Sequence, residues 1–284
     1  HAQQNRRPPY HIGRFILSAF PRPAELRSGP GPHPIGTRLK RMMQSLPPNY
    51  TAMVFGASGA IGGAFVRALS NDPRCLQVHA GTRRAVAAGA SKIRPFVFDL
   101  EHEASIARAV SGIGQEGPVH LILIATGVLH DAEMQPEKTW RTLSSAALSR
   151  AYAVNAIGPS LIAKHTLALL PSDQRALFAA LSARVGSIED NSLGGWHAYR
   201  ASKAALNMLM RCFAIELARR APRAVCASLH PGTVDSDLSR PFQRGVQTLF
   251  TPEHAAARLL KTLDGLQPTD SGGLFAHDGA RIPF

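Results

Sequence analysis

The residues best suited to chemistry in this chain are Tyr199 and Lys203, in the run Tyr199-Arg200-Ala201-Ser202-Lys203. Four residues apart on a helix, their side chains leave from one face. A phenol of ordinary pKa, about 10, exchanges its proton poorly at neutral pH, and a nearby ammonium favours its phenolate. The pair is therefore a candidate acid and base. Far upstream, AMVFGASGAIGGAF sets Gly56, Gly59 and Gly62 between an apolar run and a helix-forming one. Glycines placed so permit a tight turn, let backbone N–H groups approach a pyrophosphate, and bring helix onto strand. Ser58, Gly59, Ala60 and Ile61 form the rim of that turn.

The type of nucleotide should be set at the end of the next apolar run. An acid there would bind an adenosine ribose 2′-hydroxyl, and a base would meet a 2′-phosphate. The chain reads HAGTRR, so Arg83 and Arg84 supply cations and no carboxylate competes. NADP(H) is expected over NAD(H), against the plainer reading of two solvated arginines. Asp99 and Leu100 follow a third apolar run. The carboxylate either accepts the adenine amino group or caps a helix starting near Glu101.

These groups need a scaffold, and from Tyr50 onward short apolar runs alternate with longer amphipathic ones. That is the pattern of a parallel sheet with crossover helices. Strands are expected at Ala52–Phe55, Leu76–Ala80, Ile93–Phe98, Leu121–Ala125, Ala176–Leu181, Val225–Leu229 and Gly273–Ala276. Helices are expected at Ile61–Ser70, Ser105–Val110, Ala151–Leu170, His197–Arg220 and Pro252–Leu263. The fold class that follows is α/β: a Rossmann-type, doubly wound, seven-stranded, mostly parallel sheet with helices on both faces. Its ligands belong beyond the carboxyl ends of the strands.

Residues 1–49 read differently, with nine of the 21 prolines and eight Lys or Arg against one acid, Glu25. They carry +7 of the formal net charge of +13. Such a stretch is expected to be a disordered basic leader, leaving 50–284 as one Rossmann-type nucleotide-binding domain. It is either an organelle transit peptide or sequence upstream of a domain that starts at Met42 or Met43. The expected location is the cytoplasm, or a plastid or mitochondrion in the first case. With the leader set aside the body is only mildly basic, which gives no reason to expect a nucleic-acid partner. No run approaches the ~20 apolar residues of a membrane span. Cys75, Cys212 and Cys226 are too scattered for a disulfide framework or a zinc site, and no metal is expected.

The glycine turn and the Tyr-Lys pair together resemble the short-chain dehydrogenase/reductase family over essentially all of 50–284. The resemblance implies that Tyr199 protonates a carbonyl oxygen as hydride leaves the nicotinamide, while Lys203 binds the nicotinamide ribose and lowers the tyrosine pKa. Asn155, in AVNAIGP, matches the asparagine of a water and proton relay to that lysine. Ala125, Thr126 and Gly127 occupy the turn after the fourth strand, and Pro231, Gly232 and Thr233 the loop covering the nicotinamide. Two features depart from the family pattern. The glycines follow GxxGxxG where GxxxGxG is common in the compact form. The fifth strand ends Ser182-Ala183-Arg184-Val185-Gly186 where Ser-Ser-x-x-Gly is usual, so the carbonyl-binding serine falls on Ala183. Ser182 is the preferred substitute and Ser187 the other candidate; adjacent strand residues face opposite ways.

The long segment Gly186 to Lys203 resembles the carbonyl-reductase and C-factor-like branch, which implies that Trp196 and His197 line the substrate mouth. Asp235, Asp237 and Leu238 either close over substrate or cap the next helix. The resulting expectation is an NADP(H)-dependent carbonyl or alcohol oxidoreductase, assembled as a homodimer or homotetramer through the two long central helices. The alternative is a catalytically weak nucleotide-binding signalling protein on the same fold.

Overall fold

A computed structural model describes residues 42–85 and 92–284, so the expected leader up to residue 41 lies outside the described residues. In chain order the elements are β1 (Tyr50–Phe55), α1 (Ala60–Ser70), β2 (Cys75–Thr82), β3 (Ile93–Val97), α2 (Glu103–Gly114) and β4 (Leu121–Ile124). They continue with α3 (Ser145–Tyr152), α4 (Gly158–Thr166), β5 (Ala176–Leu181), α5 (His197–Arg220), β6 (Ala224–His230), α6 (Pro252–Gly265), β7 (Leu274–Ala276) and β8 (Arg281–Ile282). The strand order is β3-β2-β1-β4-β5-β6-β7-β8. Strand succession reverses between β1 and β4, opening a crevice at their carboxyl ends.

Period-two alternation sorts the strand residues into two cores. Ala52, Val54, Leu121 and Leu123 pack with Phe65 of α1 and Leu259 and Leu260 of α6. Their neighbours Met53, Phe55, Ile122 and Ile124 face the other way, onto Ile106 of α2, Ile162 of α4 and Leu206 of α5. Both faces of a parallel sheet are covered by crossover helices, which is why these strands read as unbroken apolar runs.

Three features differ from the sequence expectation. The sheet has eight strands, because β8 adds a two-residue antiparallel edge with Ile282 opposite Leu274; two residues are too few to show alternation. The helix expected at Ala151–Leu170 starts at Ser145 with Ser144 capping Ala147 N–H, and it changes geometry midway. A π-turn at Ala153–Ile157 separates α3 from α4, and a 3₁₀ turn, Leu167–Leu169, follows α4. A π-turn adds a residue to one coil, which an apolar period does not reveal.

The packed body also begins before Tyr50. Met43 and Leu46 are fully buried in the core beside α1 and α6. Buried Asp72 accepts hydrogen bonds from the Met42 and Met43 N–H groups at 3.3 and 3.2 Å and from the Tyr50 hydroxyl at 3.1 Å. Asp264 accepts from the Gln44 and Ser45 N–H groups at 2.9 and 2.8 Å. Two apolar side chains between prolines and arginines gave no period, yet each contributes about 1.5–3 kcal/mol when buried. No helix among the described residues is long and apolar enough to cross a membrane.

Candidate active site

The glycine turn leaves β1 at Gly56, whose φ of +85° suits glycine. The Gly56 and Ala57 N–H groups bond to the Gly81 carbonyl at 3.1 and 2.9 Å, fixing the turn against β2. A Cβ on Gly62 would lie 2.1 Å from the Gly56 oxygen, so this glycine serves close helix-to-turn packing. Gly59 precedes α1 without a side-chain cap, and the first turn holds no acid. The N–H groups of that turn have no intrahelical acceptor and carry the positive end of the helix dipole.

A cleft of about 380 Å³ runs from this turn along the ends of β2, β3 and β4. Gly56, Ser58, Gly59, Arg83, Asp99, Leu100, Ala125, Thr126 and Gly127 line it. Of the two arginines only Arg83 does so; Thr82 Oγ1 donates to the Arg84 carbonyl at 2.6 Å, and Arg84 is exposed outside the cleft lining. Asp99 accepts from Glu101 N–H and pairs with His102 at 2.8 Å. The Glu101 bond, helped by the bond to His102 and the nearby Arg83, holds its carboxyl below the usual range against the opposing effect of burial. Thr126 Oγ1 is buried in the cleft with no hydrogen-bond partner among the described residues. An orphaned hydroxyl beside a glycine cradle and a helix N-terminus fits a bound dinucleotide.

A second section of cleft reaches Ala60, Ile61, Ser182, Tyr199, Lys203 and Pro231. Tyr199 and Lys203 lie on α5 as expected, with Lys203 Nζ 5.9 Å from the tyrosine ring centre. Gly186 lets the turn after β5 press on the helix, since a Cβ there would come 2.7 Å from Lys203 Cβ. Lys203 Nζ donates to the Leu181 carbonyl at 2.8 Å. Burial pushes the Lys203 ammonium down to about 7 and the Tyr199 phenol up to about 12. The expected lowering of the tyrosine is thus absent here: both groups are removed from water, and burial disfavours whichever form is charged.

Asn155 sits in the π-turn with its side chain fully enclosed. Its Oδ1 accepts from Val128 N–H at 2.9 Å, and its Nδ2 donates to the Val128 carbonyl and Ser202 Oγ at 2.8 and 3.0 Å. The residue ties the strand β4 exit to the helix turn carrying Lys203.

The serines resolve clearly. Ser182 Oγ donates to Asn207 Oδ1 at 2.7 Å, and the Asn207 amide is oriented by its own donation to the Gly186 carbonyl at 3.3 Å. Its proton therefore points into α5. Ser187 Oγ accepts from Asp190 N–H at 3.0 Å and lies outside the cleft and the adjoining cavity. Ala183 occupies the cavity wall where the sequence pattern puts a serine.

That cavity, about 210 Å³, adjoins the cleft at Ser182, Tyr199 and Pro231 and is walled by Trp196, His230, Gly232, Thr233, Leu238 and Phe242. The Trp196 ring meets Phe242 edge-on at 5.0 Å and Tyr199 at 6.3 Å. Trp196 adopts a left-handed φ of +50°, following Gly194 and Gly195 at +64° and +66°. Its N–H bonds to the Glu137 carbonyl, and the Glu137 carboxylate accepts from Ala198 N–H at 3.2 Å, capping α5 from outside the helix. His197 does not line the cavity. Leu238 reaches it; Asp237 lines the adjoining cleft and pairs with Arg240 at 2.8 Å, and Asp235 accepts from Gln243 at 3.1 Å. Sequence reasoning missed His230 and Phe242, which carry no motif.

Residues 50–247 match the family model of the short chain dehydrogenases. The chain is 33% identical over 174 residues to the C-signal protein of Myxococcus xanthus, spanning 59% of this chain and 94% of that one. It is 27% identical over 266 residues to an uncharacterized oxidoreductase of Schizosaccharomyces pombe, spanning 83% and 98%. The structure superposes on the NADPH-bound carbonyl reductase from chicken fatty liver with a TM-score of 0.72 and 25% identity, covering 85% of this chain and 96% of that one. The chain thus belongs to the short-chain dehydrogenases, oxidoreductases that work with a nicotinamide cofactor.

Proposed function

We propose that the protein is an NADP(H)-dependent oxidoreductase that interconverts carbonyl compounds and alcohols, with Tyr199 as the acid and base. The observation that carries this reading is the position of Tyr199, which lines both the dinucleotide cleft and the cavity beside it. A nicotinamide cofactor, when bound, supplies or accepts the hydride. The chain's own residues do the rest. With its pKa raised to about 12, Tyr199 is protonated at neutral pH, the form that gives a proton to a carbonyl oxygen. Lys203 spends one N–H on Leu181 and keeps two for the ribose, while Asn155 fixes its approach. Gly56, Ser58, Gly59, Ala60 and Ile61 hold the pyrophosphate, with Gly62 giving the close packing. Asp99 and Leu100 hold the adenine end, Ala125, Thr126 and Gly127 the middle, and Pro231, Gly232 and Thr233 the nicotinamide end. Arg83 supports NADP(H), since it is a cation in the adenosine section of the cleft and no acid ends β2. Met208, Cys212 and Ile215 form an exposed stripe on α5 that suits a homo-oligomer contact.

One observation favours a second reading, a nucleotide-binding signalling protein with little turnover: Ala183 stands where the serine is expected, Ser182 is turned to Asn207, and Ser187 lies outside the site. The two separate in one experiment. NADPH is titrated into the protein and its Tyr199→Phe variant, followed by absorbance decay against a panel of aldehydes and ketones. The reductase reading expects NADPH binding by both and turnover by the unaltered protein alone, with Tyr199→Phe slower by about 10³-fold. Equal turnover by both would refute the role of Tyr199, and binding without turnover would favour the second reading.

A further inference from the structure

Where the sequence pattern puts the carbonyl-orienting hydroxyl, the wall next to Tyr199 carries Ala183; Ser182 is committed to Asn207, and Ser236 and Ser239, further along the wall, both donate to the Val234 carbonyl. One other polar group occupies that wall from the neighbouring strand. His230 ends β6, which pairs in register with β5 so that Leu229 stands opposite Leu181. Alternation along β6 then puts His230 on the same sheet face as Cys226, which packs with Leu206 and Met210 of α5. On β5 the corresponding residues are Phe178 and Ala180, which share that cluster, and then Ser182, which bonds to α5. His230 therefore reaches the site from the side on which α5 delivers Tyr199, and both residues line the one cavity.

We propose that His230, as a neutral imidazole protonated on Nε2, donates the hydrogen bond that holds the substrate carbonyl oxygen for Tyr199, in the role the missing serine would otherwise fill. This rests on the carbonyl-alcohol reading above. His230 Nδ1 is buried and has no hydrogen-bond partner among the described residues. A ring proton placed there would have no acceptor, so the neutral ring carries it on Nε2, the nitrogen left to meet the cavity. The ring stays neutral across the working range: burial, Arg184 and His277 push its pKa down to about 4, with Asp278 and Asp190 opposing weakly. A neutral donor suits the task, since an imidazolium would compete with Tyr199 to protonate the oxygen. Proton transfer remains with Tyr199, and His230 keeps its own proton throughout.

The test uses the full chain with NADPH and 4-nitrobenzaldehyde, together with infrared spectra of acetophenone carrying a ¹³C carbonyl label in the presence of oxidised NADP. His230→Ala should lower kcat/KM by about 10²-fold, with NADPH affinity and the thermal transition unchanged. His230→Gln, whose amide nitrogen can stand near the Nε2 position, should keep most of the activity. Ala183→Ser added to His230→Ala should restore it, which a merely structural role for the histidine would not allow. The carbonyl band of the bound ketone should lie at lower wavenumber than in solution and return toward the solution value in His230→Ala. Unchanged kcat/KM in His230→Ala while Tyr199→Phe is inactive would overturn the proposal, as would equal losses in the Ala and Gln variants without rescue by Ala183→Ser. Should Tyr199→Phe retain turnover, the role of Tyr199 as acid fails, and the infrared shift still decides His230 by itself.

Discussion

Lys203 is the residue at which function and stability pull hardest against each other, and Lys203→Met measures by how much. Burial lowers the ammonium from 10.5 to about 7. At 1.36 kcal/mol per tenfold change, that corresponds to about 5 kcal/mol of penalty on the charged form. Methionine removes the penalty, but it strips the Leu181 carbonyl of its donor, which gives back about 1–3 kcal/mol. The net expectation is a variant more stable than the parent by about 2–4 kcal/mol below pH 7. The pH dependence follows from proton counting. Between pH 7 and 10.5 the unfolded chain holds a proton on Lys203 that the folded protein has lost, so the parent gains stability as pH rises. Below pH 7 both states are protonated and the penalty is present in full. Urea unfolding of the unliganded protein should therefore show Lys203→Met ahead at pH 6, and behind at pH 9.5, where most of the penalty is gone and the lost hydrogen bond remains. A stability difference equal at the two pH values would refute the argument, because packing alone would then account for it.

Arg83→Glu should raise the Kd for NADPH by tenfold or more while leaving that for NADH within about twofold, as read by fluorescence titration; parallel losses for both cofactors would mean that the arginine holds no 2′-phosphate. Asp72→Ala should destabilise the protein by about 3 kcal/mol in urea unfolding, since it leaves the Met42, Met43 and Arg74 N–H groups and the buried Tyr50 hydroxyl without their acceptor. A cost under about 0.5 kcal/mol would show that Met42–Leu46 is not part of the cooperative unit.

Much of the molecule follows from local sequence. Unbroken apolar runs set the principal strands, because a parallel sheet covered on both faces demands apolar residues at nearly every position. The glycine turn was legible because backbone geometry at Gly56 and contact at Gly62 exclude side chains. The Tyr199–Lys203 pair was legible because helical spacing puts residues four apart on one face. What the sequence could not decide depends on which chain segments meet. Ser182, Ala183 and Ser187 are separated by one to a few residues, so whether a hydroxyl enters the cavity turns on the strand end and on Asn207, one turn beyond Lys203. Arg83 and Arg84 are equivalent in composition, and only the turn closed by Thr82 distinguishes them. The π-turn at Asn155, the burial of Met43 and Leu46, and the approach of His230 from β6 all arise from contacts between residues distant in sequence. Short-range spacing specifies backbone geometry and helix faces, whereas the direction of a side chain at a strand end is settled by what packs against it.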